Sequence, residues 1–313
     1  MRRIVIDTDP GQDDAVALLA ALASPELEVV AVTTVAGNVP LSRTTANALA
    51  MVELAGRPEV PVYAGCARPM VRRLVTAEYV HGPTGIDGAD LPAVTLAATP
   101  GNAVDALIDL LTRSEATTVC LLGPHTNLAM AMVKEPSITA HIDEIVLMGG
   151  GFFEGGNTTP AAEFNIYVDP HAAQVVFTSG VPITMMPLDV THQALTTDAR
   201  IARFRALGTP AGEAVAGMLD FYDRHDEAKY GTEGGPLHDP CVIAYLLRPE
   251  LFTGRRCHVA IEHHSELTMG MTVIDWWGVT GNEPNAQVMN QVDADGYYEL
   301  LTDRIGRIHP VTG

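Results

Sequence analysis

The chain is nearly devoid of lysine: only Lys134 and Lys229 occur in 313 residues, and the formal net charge is −19. Nucleic-acid binding needs clustered Lys and Arg, so this charge balance argues against a nucleic-acid partner. Cysteine is sparse as well. Cys66, Cys120, Cys241 and Cys257 form no CxxC pair, which speaks for reduced, mostly buried thiols and against a disulfide framework. Long apolar runs are missing. Ala15 to Ala23 is far shorter than a membrane span. Met1-Arg2-Arg3 leads straight into Ile4-Val5-Ile6-Asp7, with no apolar stretch and cleavage site of the secretory kind. The expectation is a cytoplasmic protein with no membrane association. Several catalytic fingerprints are also absent. There is no GK[ST], HExxH or GxSxG, and Gly149 to Gly156 does not spell GxGxxG.

What is present is a globular composition, 47% apolar and 18% charged. Strand-like and helix-like stretches alternate. Arg3 to Asp7, Leu27 to Val35, Thr117 to Leu122, Ile142 to Met148 and Ile183 to Met186 read as buried strands. Asp13 to Ala23, Leu41 to Leu54, Ala103 to Leu111 and Leu128 to Val133 read as helices between them. Asp169-Pro170 starts another, with Asp as N-cap and Pro at the first position, ending near Gly180. The second half is more helical up to Leu247. Strands at Cys257 to Glu262 and Met271 to Trp276 and a helix at Gly296 to Ile305 follow. This order predicts an α/β fold: a mostly parallel open sheet flanked by helices, Rossmann-like, with the active site at the C-terminal ends of the strands. No linker, repeat or low-complexity segment divides it, so residues 1–313 are expected to form a single domain.

Polar clusters follow the strands. The first strand runs into Asp7-Thr8-Asp9-Pro10-Gly11-Gln12-Asp13-Asp14, four carboxylates in eight residues. So much like charge is costly unless a cation neutralises it, and oxygen ligands of this kind select Ca²⁺ or Mg²⁺. Helix capping accounts for one or two of these acids but not four. Gly37-Asn38 ends the second strand, and Gly123-Pro124-His125-Thr126-Asn127 ends the one at Thr117 to Leu122. Met148 and a Gly-rich loop end the next, leading to Asn157 and Glu163-Phe164-Asn165. His238-Asp239-Pro240 precedes an apolar helix. Each has a bland reading as a turn, cap or solvated acid. Five at one sheet edge point to a site.

Taken together, these residues resemble the inosine-uridine-preferring nucleoside hydrolases. The most specific piece is D-x-D-P-G-x-D-D at Asp7 to Asp14. It is joined by Gly37-Asn38, Gly123-Pro124-x-Thr126-Asn127, Val146 to Gly151, Ala162 to Ile166 and His238-Asp239-Pro240. The resemblance runs from Ile4 to near the C-terminus and implies Ca²⁺-dependent hydrolysis of the N-glycosidic bond of purine or pyrimidine ribonucleosides. It implies one Ca²⁺ per chain, held by the carboxylates of Asp9, Asp14 and Asp239 and the backbone carbonyl of Thr126. A water and the ribose 2′- and 3′-hydroxyls would complete the shell, and Asp9 would be the general base. Asp13, Asn38 and Asn165 would hold the ribose diol, and Asn157 and Glu163 the 5′-hydroxyl, with Met148 also at the substrate. His238 would be the leaving-group acid. His81, in the loop Tyr79 to Gly88, and Tyr230 would approach the base from mobile segments. The family also implies a homodimer or homotetramer.

The residue types suit that chemistry on their own terms. Glycoside cleavage passes through an oxocarbenium-like state, which nearby anions stabilise. A calcium ion lowers the pKa of its water only modestly, so a carboxylate must complete the deprotonation. Two other readings compete. A haloacid-dehalogenase-type phosphotransferase also carries D-x-D after its first strand, but needs a nearby Thr or Val and a phosphate-steadying Lys. A non-catalytic Ca²⁺-dependent ribonucleoside-binding protein would keep the metal ligands and lose the base or acid, yet Asp9 and His238 are both present. His125 is expected to face solvent without a role. His225-Asp226 reads as a solvated helix face. Trp276-Trp277 reads as core packing or an interface sooner than as a base-stacking pair.

Overall fold

The computed structural model describes residues 1–113, 116–231 and 233–309, with the side chains of residues 223–230 outside the description. The first half is built of β1 (Arg2–Thr8), α1 (Gln12–Leu22), β2 (Leu27–Thr34), α2 (Leu41–Leu54), β3 (Val62–Ala64) and α3 (Glu78–His81). It continues through α4 (Ala103–Arg113), β4 (Thr117–Leu121), α5 (Thr126–Lys134) and β5 (Ile142–Met148). Then come α6 (Phe164–Val168), α7 (Pro170–Phe177), β6 (Ile183–Met186), α8 (Leu188–Thr191), α9 (Asp198–Arg205) and α10 (Pro210–Tyr230). The chain closes with α11 (Pro240–Leu247), β7 (Phe252–Ile261), β8 (Thr272–Asp275), β9 (Ala286–Val292) and α12 (Ala294–Gly306).

The strands form one sheet in the order β3-β2-β1-β4-β5-β6-β9-β7-β8. The pairings from β3 to β9 are parallel, and β7 pairs antiparallel with both β9 and β8. The mostly parallel sheet is therefore as the sequence predicts. Two strands carry no clear sequence signal: β3 has three residues, and β9, AQVMNQV, mixes amides into its apolar positions.

Alternation along β1 shows why both sheet faces are covered. Ile4 and Ile6 pack into one core layer, and Val5 into the other. The first layer holds α1, α2, α10, α11 and α12; the second holds α4, α5 and α7. All eleven residues of α1 are buried, because α2, α10, α11 and α12 surround it. A helix without a polar face is the expected occupant of such a position.

Trp276 is buried against Phe152 and beneath the Arg255 guanidinium, so its packing role holds, while Trp277 is exposed. His225 and Asp226 fall on α10, as expected, with side chains outside the described residues. His125 overturns its expectation. It is fully buried beside Phe177, and neither ring nitrogen has a partner among the described residues. Burial pushes the imidazole down to about 3, so it is neutral. The polar side chain suggested solvent, but α7 packs against α5 and covers its N-terminal turn.

Candidate active site

β1 delivers the first acids. Its end turns through Pro10-Gly11 into α1, which leaves Asp9 at the sheet edge and Asp13 and Asp14 in the first helical turn. Backbone N–H groups at a helix start favour carboxylates there. Asp14 accepts hydrogen bonds from the Thr8 hydroxyl, from the Gly11 N–H at 2.9 Å and from the Asn38 side-chain amide at 3.1 Å. Asp9 Oδ2 accepts from the Asn38 backbone N–H at 2.7 Å. Asp9 Oδ1 is buried with no partner among the described residues. Two glycines make room for this carboxylate. A Cβ on Gly37 would overlap Asp9 Oδ2, and one on Gly123 would overlap Oδ1. The glycines of the two strand-end motifs are thus the walls around Asp9, an approach only glycine permits.

Asp239, immediately before α11, brings a further acid from far along the chain. One carboxylate oxygen from each of Asp13, Asp14 and Asp239 lies within 4.8 Å of the others, all three residues being buried. Asp9 stands outside that tightest set, drawn toward Asn38, yet near enough for the Asp14 charge to act on it. Burial, with repulsion from neighbouring carboxylates, holds Asp9 and Asp239 well above the ordinary carboxylate range. Burial raises Asp14 as well, against the donors that surround it. Such a cluster needs protons or a cation. An all-oxygen donor set with an unused buried oxygen on Asp9 fits a hard divalent ion.

Thr126 begins α5, in the turn whose Gly123 abuts Asp9. Its hydroxyl donates to Asp169 Oδ2 at 2.7 Å.

Beyond the acids opens a cleft of about 70 Å³. Asp13, Asn38, Met148, Asn157, Glu163 and Asn165 all line it. The Asn165 amide nitrogen donates to the Leu122 carbonyl at 2.7 Å and the Met148 carbonyl at 3.2 Å, which leaves its oxygen for a ligand. Glu163 caps α6, accepting from the N–H groups of Asn165 at 2.9 Å and Gly150 at 2.9 Å. Burial nevertheless pushes its carboxyl up to about 7. Asn157 accepts from the Phe164 N–H at 3.0 Å, which fixes the loop end beside Glu163.

The other wall is aromatic. His81 closes α3, a helical turn where a loop was expected, because Val80, His81 and Gly82 each bond back to Ala77 or Glu78. Its ring lies 5.5 Å from that of Tyr222, nearly parallel, and its Nδ1 is 2.7 Å from Gln12 Oε1. His238 lines the cleft with its Nδ1 2.7 Å from the Thr191 hydroxyl. The side chain of Tyr230 lies outside the described residues. Neither Gln12 nor Thr191 stands out in the sequence alone. Gln12 is one of two x positions of the acidic motif, whereas Thr191 has no signal without the fold. Tyr222 lies on α10.

No Lys or Arg lines the cleft among the described residues. Lys134 ends α5 on the surface, paired with Asp105 at 2.5 Å. The phosphate-steadying lysine that a phosphotransferase needs is therefore not supplied by Lys134.

Comparisons with known proteins agree with this geometry. The family described as inosine-uridine preferring nucleoside hydrolase matches residues 4–299. A pyrimidine-specific ribonucleoside hydrolase, RihA, of Salmonella agona is 49% identical over 304 residues, covering 96% of this chain and 97% of its own. An uncharacterized protein of Schizosaccharomyces pombe is 53% identical over 308 residues, covering 98% and 99%. Among solved structures, a purine-preferring ribonucleoside hydrolase from Gardnerella vaginalis superposes with a TM-score of 0.91 at 34% identity, covering 98% of this chain and 99% of that one. No helix among the described residues is long and apolar enough to cross a membrane. The chain belongs to the inosine-uridine preferring nucleoside hydrolase family and is a ribonucleoside hydrolase, acting on an N-glycosyl bond.

Proposed function

We propose that the protein hydrolyses the N-glycosidic bond of purine and/or pyrimidine ribonucleosides in a Ca²⁺-dependent reaction, with Asp9 as general base and His238 as leaving-group acid. The observation that carries this reading is the buried convergence of Asp9, Asp13, Asp14 and Asp239 beneath a cleft lined with amides and aromatic rings. Asp9, Asp14 and Asp239 would hold the ion through carboxylates, and Thr126 through its backbone carbonyl. When bound, Ca²⁺ supplies positive charge that offsets the clustered acids, gathers ribose hydroxyls and makes a nearby water more acidic.

The protein's own groups do the rest. Asp9 removes the proton from the attacking water, which suits a carboxylate with an unused oxygen. Asp13, Asn38 and Asn165 bind the ribose diol, and Asn165 can only accept there, since its amide nitrogen is taken. Glu163 and Asn157, fixed by backbone bonds, receive the 5′-hydroxyl. The surrounding carboxylates favour the positive charge that develops on the sugar. His238, oriented by Thr191, protonates the departing base. The stacked His81 and Tyr222 rings offer that base a flat wall.

Two results test this reading. Protein purified without chelator should contain about one calcium per chain by elemental analysis; zinc or iron at full occupancy would contradict an all-oxygen site. His238→Ala should slow inosine hydrolysis by roughly 10²–10³-fold, the scale of one positioned proton donor. The same variant should barely change hydrolysis of p-nitrophenyl riboside, whose phenolate leaves without a proton. An equal loss on both substrates would remove His238 from the acid role.

A further inference from the structure

Asp169 lies outside the cleft lining and is fully buried at the start of α7. One of its oxygens accepts from Ala172 N–H at 3.1 Å, an ordinary helix cap. The other does something different. Asp169 Oδ2 accepts from the Thr126 hydroxyl at 2.7 Å and from the Met70 N–H at 2.8 Å. It thereby ties the α7 terminus, the segment after β3 and the β4–α5 turn to one point.

That turn matters because of what it touches. Gly123 packs directly on Asp9 Oδ1, and Pro124 packs against Gly37 on the other side of Asp9. The turn has two anchors. Asn127 donates to Asp7 Oδ1 at 2.7 Å and to the Thr34 carbonyl at 3.0 Å, which holds it to β1 and β2. Thr126 bonds to Asp169, which holds it to α7. With the first anchor alone, Thr126 would be free to shift relative to the acids.

We propose that Asp169 is a positioning residue for the cation site: by holding the Thr126 hydroxyl, it sets the Thr126 carbonyl and the Gly123 wall against Asp9. The assignment rests on the calcium reading above and adds a residue that contacts neither ion nor nucleoside. A charged acceptor suits the task, since hydrogen bonds to carboxylates are shorter and stronger than neutral ones. Outer groups that orient metal ligands typically contribute 10–100-fold in metal affinity.

The decisive variant is Thr126→Val, which keeps the backbone carbonyl and the side-chain shape but removes the donor. Asp169 keeps its bonds to Ala172 and Met70 in this variant, so the α7 cap is untouched. Calcium affinity of the purified full chain, measured by titration calorimetry after chelation, should fall about 10–100-fold in Thr126→Val. It should stay within about twofold of the parent in Thr126→Ser, which restores the hydroxyl. Asp169→Asn should weaken calcium binding in the same direction, with the melting temperature in EDTA reporting its fold. If Thr126→Val binds calcium like the parent, the clamp is wrong and Asp169 is only a helix cap. If the parent itself binds no calcium, the calcium reading falls and this inference falls with it.

Discussion

2′-Deoxyinosine should be hydrolysed with a kcat/KM about 10⁴-fold or more below that of inosine. Asn165 presents only its oxygen, because the strand-end carbonyls of Leu122 and Met148 hold its nitrogen. Asp13, also buried, stands in the same cleft. Both can accept from a ribose hydroxyl. A 2′-deoxy sugar removes that donor, and a desolvated acceptor deprived of its donor costs about 1–3 kcal/mol. It also removes one of the oxygens proposed for the cation. Steady-state kinetics on the two substrates at equal calcium measures the ratio directly. Similar kcat/KM values would dismiss the diol-binding role of Asp13 and Asn165.

Asp9→Asn should lower kcat by about 10²–10⁴-fold with a much smaller change in KM. The carboxamide keeps an oxygen for the Asn38 N–H and a shape that fits between Gly37 and Gly123. What it loses is basicity. Folding should survive the change, because the substitution removes a buried charge that Asp14 already opposes. Thermal melting of the variant should therefore match or exceed that of the parent, each measured without added metal. A variant with near-normal kcat would show that another group takes the proton from water.

Much of this arrangement was legible in the sequence, for a physical reason. Asp9, Asp13 and Asp14 lie within one strand-turn-helix, so their clustering is local and needs no fold to be seen. The parallel sheet was legible because β1, β2, β4, β5 and β6 each carry a short, mostly apolar stretch, the pattern of strands buried on both faces. β9 was not, because Gln287, Asn290 and Gln291 interrupt it, and its place beside β6 is set by tertiary packing. The same limit applies at the site. Thr191 supports His238 from 47 positions away, and Tyr222 reaches His81 only because α10 packs against α3. His125 misled because residue type alone does not report burial. The motif glycines were visible as a pattern, but their reason, contact with Asp9, exists only in three dimensions.

Hydrolysis of a ribonucleoside to free base and ribose is read most directly from the products. The protein, with calcium and with phosphate excluded, should be incubated with inosine and with uridine, and the products separated by chromatography with a reducing-sugar assay. Free base and ribose should appear in equal amounts from at least one of them, at a rate that falls when calcium is chelated. Intact nucleoside in both incubations, or base release that proceeds unchanged after chelation, would contradict it.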